Sequence, residues 1–144
     1  MVGELAFRAS LPRTGTTSRD ARHDLSAWLP ERCGPSAAET ALLLASELVT
    51  NAVVHTRSPD VGVSARCDGD TLRVAVDDDA AVPSGSGQAC CGPTGTGLSL
   101  VDALAARWGW EPTSGGKRVW FEVPCARADD ARQGGAGARR MRDA

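Results

Sequence analysis

Glu47, Asn51 and His55 lie four residues apart in the stretch ASELVTNAVVHT, residues 45–56. On a helix that spacing sets all three along one side. Glu47 and Asn51, one turn apart, can converge on one site. An asparagine carbonyl is a hard oxygen ligand suited to Mg²⁺, with phosphate oxygens completing the shell. A neighbouring glutamate can accept a proton from a water or hydroxyl attacking a phosphoryl group. The plain alternative is a helix face that is simply polar. Leu44 and Leu48 beside the strip favour the rim of a cleft. His55, at the helix end, reads as a last-turn histidine rather than a base.

Three further pieces follow along the chain. In TLRVAVDD, residues 71–78, the apolar Leu72, Val74 and Val76 alternate, and the next position in that period is Asp78. A carboxylate there, on the inward face of a strand end, can accept a hydrogen bond from an exocyclic amine such as adenine's. The alternative is a turn aspartate in an acidic run. Asp77 and Asp79 fall off the period and are expected to be more exposed. In GPTGTGLSL, glycines before a helix allow close backbone approach, and free N–H groups at a helix start favour phosphate. It is not a P-loop, since no GK[ST] follows, and a flexible turn is an equal reading. In GGKRV, Lys117 lies near a ligand or merely decorates a hairpin.

These residues need a frame. ELAFRA, residues 4–9, predicts a first strand, and residues 17–29 predict a helix. A long helix is expected over 37–55, with Ser36 and Glu39 as a capping box. Its apolar side holds Leu42, Ala45, Val49, Ala52 and Val53. VGVSARC and TLRVAVDD alternate about the turn signal DGD, predicting a hairpin. Residues 80–97 carry no periodicity and predict a long loop of the kind that often carries function. Residues 97–108 predict a helix, WGWEPT leads to a turn at SGG, and KRVWFEVPC predicts the last strand. The order implies an α+β two-layer sandwich, with helices on one face of a mainly antiparallel or mixed sheet. A βαβ nucleotide fold is excluded, because the glycine motif does not follow the first strand.

Composition sets the limits. A chain of 144 residues suits one domain over residues 1–125, and the Arg-, Gly- and Ala-rich residues 126–144 have little to bury and are expected to be disordered. That tail carries a net +2 of the chain's −2, which leaves −4 on the domain. With no basic stripe, nucleic acid is not expected as a direct partner. The apolar runs look too short to span a bilayer, and MVGELAFRAS has no secretory pattern, so no membrane association is expected. The cysteines are Cys33, Cys67, Cys90, Cys91 and Cys125. An odd number with no CxxC pair predicts reduced thiols and a cytoplasmic protein. Adjacent Cys90 and Cys91 read as loop residues rather than zinc ligands, because no His or Cys spacing fits a zinc site.

The four motifs in this order resemble the GHKL superfamily, the ATP-binding fold of gyrase, histidine kinases and MutL. SELVTNAVVHT resembles its N-box, and LRVAVDDDA the strand and aspartate of the next box. GTGLSLVDALAARWGW and GGKRVWFEV resemble the phosphate-binding helix start and the closing strand. The likeness covers about residues 4–124 and is strongest to small anti-sigma-factor serine kinases of the RsbW and SpoIIAB type and their stand-alone actinobacterial relatives. It implies ATP and Mg²⁺ as cofactors. Asn51 would hold the metal, Glu47 would be the catalytic base, and Asp78 would bind the adenine amino group. Gly95, Thr96, Gly97, Leu98 and Lys117 would complete the nucleotide site, with residues 80–94 as a lid. The implied activity is a serine/threonine protein kinase that phosphorylates a small antagonist protein, holds a sigma factor and can form a homodimer. The alternatives are a non-catalytic module that sequesters its partner, and an ATPase or histidine-kinase-derived fragment. Two positions depart from the pattern: Ala80 stands in place of a glycine, and Arg118 in place of a threonine.

Overall fold

A computed structural model describes residues 5–29, 33–79 and 96–125. Eight elements lie among the described residues: β1 (Leu5–Pro12), α1 (Thr17–Trp28), α2 (Pro35–His55), β2 (Asp60–Asp68), β3 (Thr71–Asp78), α3 (Thr96–Leu104), β4 (Arg107–Thr113) and β5 (Gly116–Pro124). The strands form one sheet in the order β1-β2-β3-β5-β4. All four pairings are antiparallel. The tail and the 80–94 lid expected from the sequence lie outside the described residues.

Alternation builds the two faces. Val61, Val63 and Ala65 of β2, Leu72, Val74 and Val76 of β3, and Val119, Phe121 and Val123 of β5 are buried under the helices. The intervening residues form the open face. There the Arg73 guanidinium lies 4.1 Å from the Trp120 ring centroid, and Arg73 also bonds Glu122 at 3.1 Å. Gly109 sits opposite Trp120, and a Cβ at Gly109 would come within 3.0 Å of that ring. The large indole therefore lies flat over a residue that has no side chain. A groove of about 570 Å³ on this open face is lined partly by Arg8, Arg66, Arg73 and Arg118, and it includes none of the predicted nucleotide-site residues.

The helices form the second layer. α2 packs over β3, with α1 on one flank toward β1 and α3 on the other toward β4. Ala41, Leu44, Ala45 and Val49 of α2 are fully buried. By length and composition α2 passes the test for a membrane span, with mean hydropathy 1.3 over Pro35–Val54, contrary to the expectation from sequence. Ala41, Leu44, Ala45, Leu48, Val49 and Ala52 of that span pack in the protein core, while Leu43 and Val54 are exposed.

Two local expectations change. α2 begins at Pro35, with Gly34 as N-cap at φ 91° and no side-chain cap bond, so the Ser36–Glu39 capping box does not form. A proline at N1 loses nothing by lacking an N–H, and only glycine sits easily at that positive φ. α3 stops at Leu104, four residues short of the expected end, and Arg107–Thr113 is a strand. Val101, Ala105 and Trp108 continue a helical spacing, which hides the switch. Pairing with β5 overrides it, and the Ala106 N–H donates to the Glu122 carbonyl at 2.8 Å. Cys33 and Cys125 are core residues.

Candidate functional site

Asp78 ends β3 on its buried face and is 8% exposed, whereas Asp77 is half-buried and Asp79 exposed. Its cross-strand neighbour in the register is Lys117. The Lys117 ammonium reaches Asp78 Oδ2 at 2.8 Å, and their side chains are only 16% and 3% exposed. A carboxylate offers about four acceptor positions, so Asp78 can engage more than one donor. The same register turns Arg118 to the open face, where it bonds Asp77 at 2.8 and 3.0 Å and Glu111 at 3.5 Å. The hydrogen bond to Asp77 holds the Arg118 guanidinium above its usual range, despite partial desolvation. Arg118, the residue that departs from threonine, thus belongs to the sheet face away from Asp78.

Close approach of β5 to the end of β3 requires Gly116. A Cβ there would collide with the Asp78 carbonyl oxygen and the Asp79 backbone. The first two letters of GGK in this chain are thus a turn residue and a steric requirement, and Lys117 is placed by the second of them.

The exit of α2 is tied to this strand end. The Ser58 hydroxyl donates to Asp79 Oδ1, and the Asp79 N–H donates back to Ser58 Oγ at 2.7 Å. Ser58 is buried, its N–H bonds the Thr56 hydroxyl at 3.3 Å, and that hydroxyl donates to the Ala52 carbonyl at 2.8 Å. The Arg13 guanidinium donates to the Ser58 carbonyl at 2.9 Å, and the Arg13 N–H to that of Pro59 at 2.9 Å. The segment 56–59 is therefore held from α2, β1 and β3 at once. Ser58 and Asp79 were not singled out in the sequence, because a Ser-Pro pair after a helix signals only a turn.

Asn51 lies one turn before the end of α2, about 6 Å along the axis, and Glu47 one turn further back. Both are half-buried. The opposite flank of α2 faces α1, where Thr50 bonds the Ser18 hydroxyl and that hydroxyl donates to the Ser46 carbonyl. Glu47 and Asn51 are rotated about 100° from Ser46 and Thr50, off the line that meets α1. α2 packs against both β3 and α3. Thr96 and Gly97 open α3. The side chains of Thr96, Leu98 and His55, and all of Gly95, lie outside the described residues.

An antiparallel sheet with three helices on one face, a buried strand-end aspartate and a polar flank on the central helix defines a GHKL-type ATPase fold. The chain matches the family described as histidine kinase-like ATPase domain over residues 11–123 and belongs to that family. No curated protein matches it significantly. Among solved structures it is similar to the RsbU and RsbW domains of a Mycobacterium tuberculosis protein, at 24% identity and a TM-score of 0.66. The match covers 84% of this chain and 32% of that one, so this chain spans about a third of the solved relative.

Proposed function

We propose that the protein binds Mg-ATP between α2, the end of β3 and α3, and acts in the cytoplasm as a serine/threonine protein kinase of the anti-sigma-factor type. The observation that carries this reading is Asp78: a nearly buried carboxylate beside the exit of α2, one turn from Asn51. The donor set fits the ligand. Asp78 accepts a hydrogen bond from the adenine amino group. Asn51 offers its carbonyl to Mg²⁺, and Glu47 takes the proton of the attacking serine hydroxyl. The N-terminal amides of α3, with Gly95, Thr96, Gly97 and Leu98, bind phosphate oxygens. Mg-ATP supplies the transferable phosphoryl group and the metal that neutralises its charge. A small antagonist protein as acceptor, a sigma factor as held partner and a homodimer as the working assembly belong to the same reading, and they rest on the resemblance of the four sequence motifs to RsbW-type kinases.

Two variants test the roles separately. Asn51→Ala is expected to abolish Mg²⁺-dependent ATP binding in calorimetry while circular dichroism stays that of the parent. Unchanged affinity overturns the metal role. Glu47→Ala is expected to keep binding and lose transfer by 10²-fold or more, the scale of a general base. The acceptor is sought by pull-down with and without Mg-ATP, followed by a phosphoserine assay on what is captured.

A second reading has its own support. The Lys117–Asp78 ion pair already engages the carboxylate that would read adenine. A binding module that sequesters a partner, with nucleotide only shifting its conformation, accommodates that pair. Tight capture of a sigma factor with no phosphorylated partner would favour it.

A further inference from the structure

Cys33, Cys67 and Cys125 are 34 and 58 residues apart in sequence, yet their sulfurs meet. Cys33 Sγ lies 3.8 Å from Cys67 Sγ, which lies 3.5 Å from Cys125 Sγ. All three lie within 4.8 Å of one another. They come from three places: the entry to α2, the last turn-side residues of β2, and the residue after β5. The Cys125 N–H donates to the Asp70 carbonyl at 2.6 Å, which fixes that strand exit against the β2–β3 turn. The cluster sits at the opposite end of β3 from Asp78, about 20 Å away along the strand.

We propose that these three cysteines form a binding site for one Zn²⁺ ion, with a fourth ligand from solvent on the side of Cys67. Sulfurs bound at about 2.3 Å to a tetrahedral ion stand about 3.8 Å apart. The observed separations reach that arrangement with side-chain adjustment alone. Three sulfur ligands select a soft or borderline ion such as Zn²⁺ or Cu(I). Zn²⁺ offsets two of the three thiolate charges and Cu(I) only one. In a site where Cys33 is 0% and Cys125 6% exposed, the smaller residual charge is favoured. Cys67 is half-buried and gives the ion an entry path. Each thiol gives up its proton to solvent on binding, with no electron transfer. The site clamps the entry of the helix that carries Glu47 and Asn51, and it stands whether or not the protein is a kinase.

Co²⁺ is the spectroscopic probe, titrated into reduced, chelator-stripped protein. One equivalent is expected to produce intense thiolate-to-cobalt charge-transfer absorption, bleached by one equivalent of Zn²⁺. The absorption is expected to be lost in Cys67→Ser and retained in the Cys90→Ser/Cys91→Ser double variant. Zn²⁺ at a hundredfold excess over Kd is expected to raise the Tm of the parent by roughly 10 °C. Because Cys67→Ser could disturb packing, alkylation of the parent is followed by mass spectrometry as well. Zn²⁺ should slow labelling of Cys67 at least tenfold. Absence of the band, its survival in Cys67→Ser, its loss in Cys90→Ser/Cys91→Ser, or unchanged Cys67 labelling would each overturn the site and leave three core thiols. Binding of Cu(I) with no binding of Zn²⁺ would overturn the choice of ion.

Discussion

Asp78 shows what one residue's environment can decide. Its neighbours Asp77 and Asp79 have the same side chain, but the register sends one to the open face and the other to Ser58. Only Asp78 faces the helices, and Lys117 is its cation. Substituting Lys117→Met removes that cation from a carboxylate 3% exposed. The expected loss is roughly 2 kcal/mol in urea unfolding, less than the ~3–5 kcal/mol of a fully buried pair because Lys117 keeps some contact with water. If Asp78 reads adenine, Asp78→Asn lowers ATP affinity at least tenfold in calorimetry, since an amide presents one acceptor oxygen where the carboxylate presents two. An unchanged affinity would remove Asp78 from the site. The period of two in TLRVAVDD was enough to separate Asp78 from its neighbours in the sequence. Its partner was less legible, because whether Lys117 faces inward depends on the β3–β5 register, and that register depends on Gly116.

At the scale of elements, long-range pairing decides what local pattern cannot. α1, α2, β2, β3 and β5 were legible because each has a clean period and a turn signal at its ends. β4 was not. Its Trp108 stands where a helical spacing from Val101 and Ala105 would place it, and only the ladder to β5 shows that the chain is extended. The start of α2 was misjudged for a different reason: Ser36 and Glu39 have the spacing of a capping box, but Gly34 and Pro35 begin the helix first. Two substitutions test the joints. Gly116→Ala forces a Cβ into the backbone of Asp78 and Asp79, so β5 must move away. A loss of about 2–3 kcal/mol is expected, within the range for overpacking, together with weaker ATP binding because Lys117 and Asp78 shift together. Ser58→Ala breaks both bonds to Asp79 and strips a buried partner from the end of β3. About 1–2 kcal/mol is expected from thermal unfolding.

The whole molecule is organised around α2. Its core face carries Leu44 and Val49 at full burial, its entry meets the cysteine cluster, and its exit is tied through Ser58 to Asp79 at the end of β3. A ligand bound at the exit must therefore stabilise the domain as a unit, since the helix it contacts runs through the core. Mg-ATP at a hundredfold excess over Kd contributes about 2.7 kcal/mol of linkage, which raises Tm by roughly 10 °C for a domain of this size. The metal requirement is checked by omitting Mg²⁺ rather than by adding a chelator, because a chelator would also strip an ion from the cysteine cluster at the other end. The shift is expected to vanish without Mg²⁺ and in Asn51→Ala, and to persist in Cys67→Ser. A shift of equal size in Asn51→Ala would mean that ATP stabilises the fold from somewhere other than the polar flank of α2. Loss of the shift in Cys67→Ser with its fold retained would mean that the two ends of the helix are coupled.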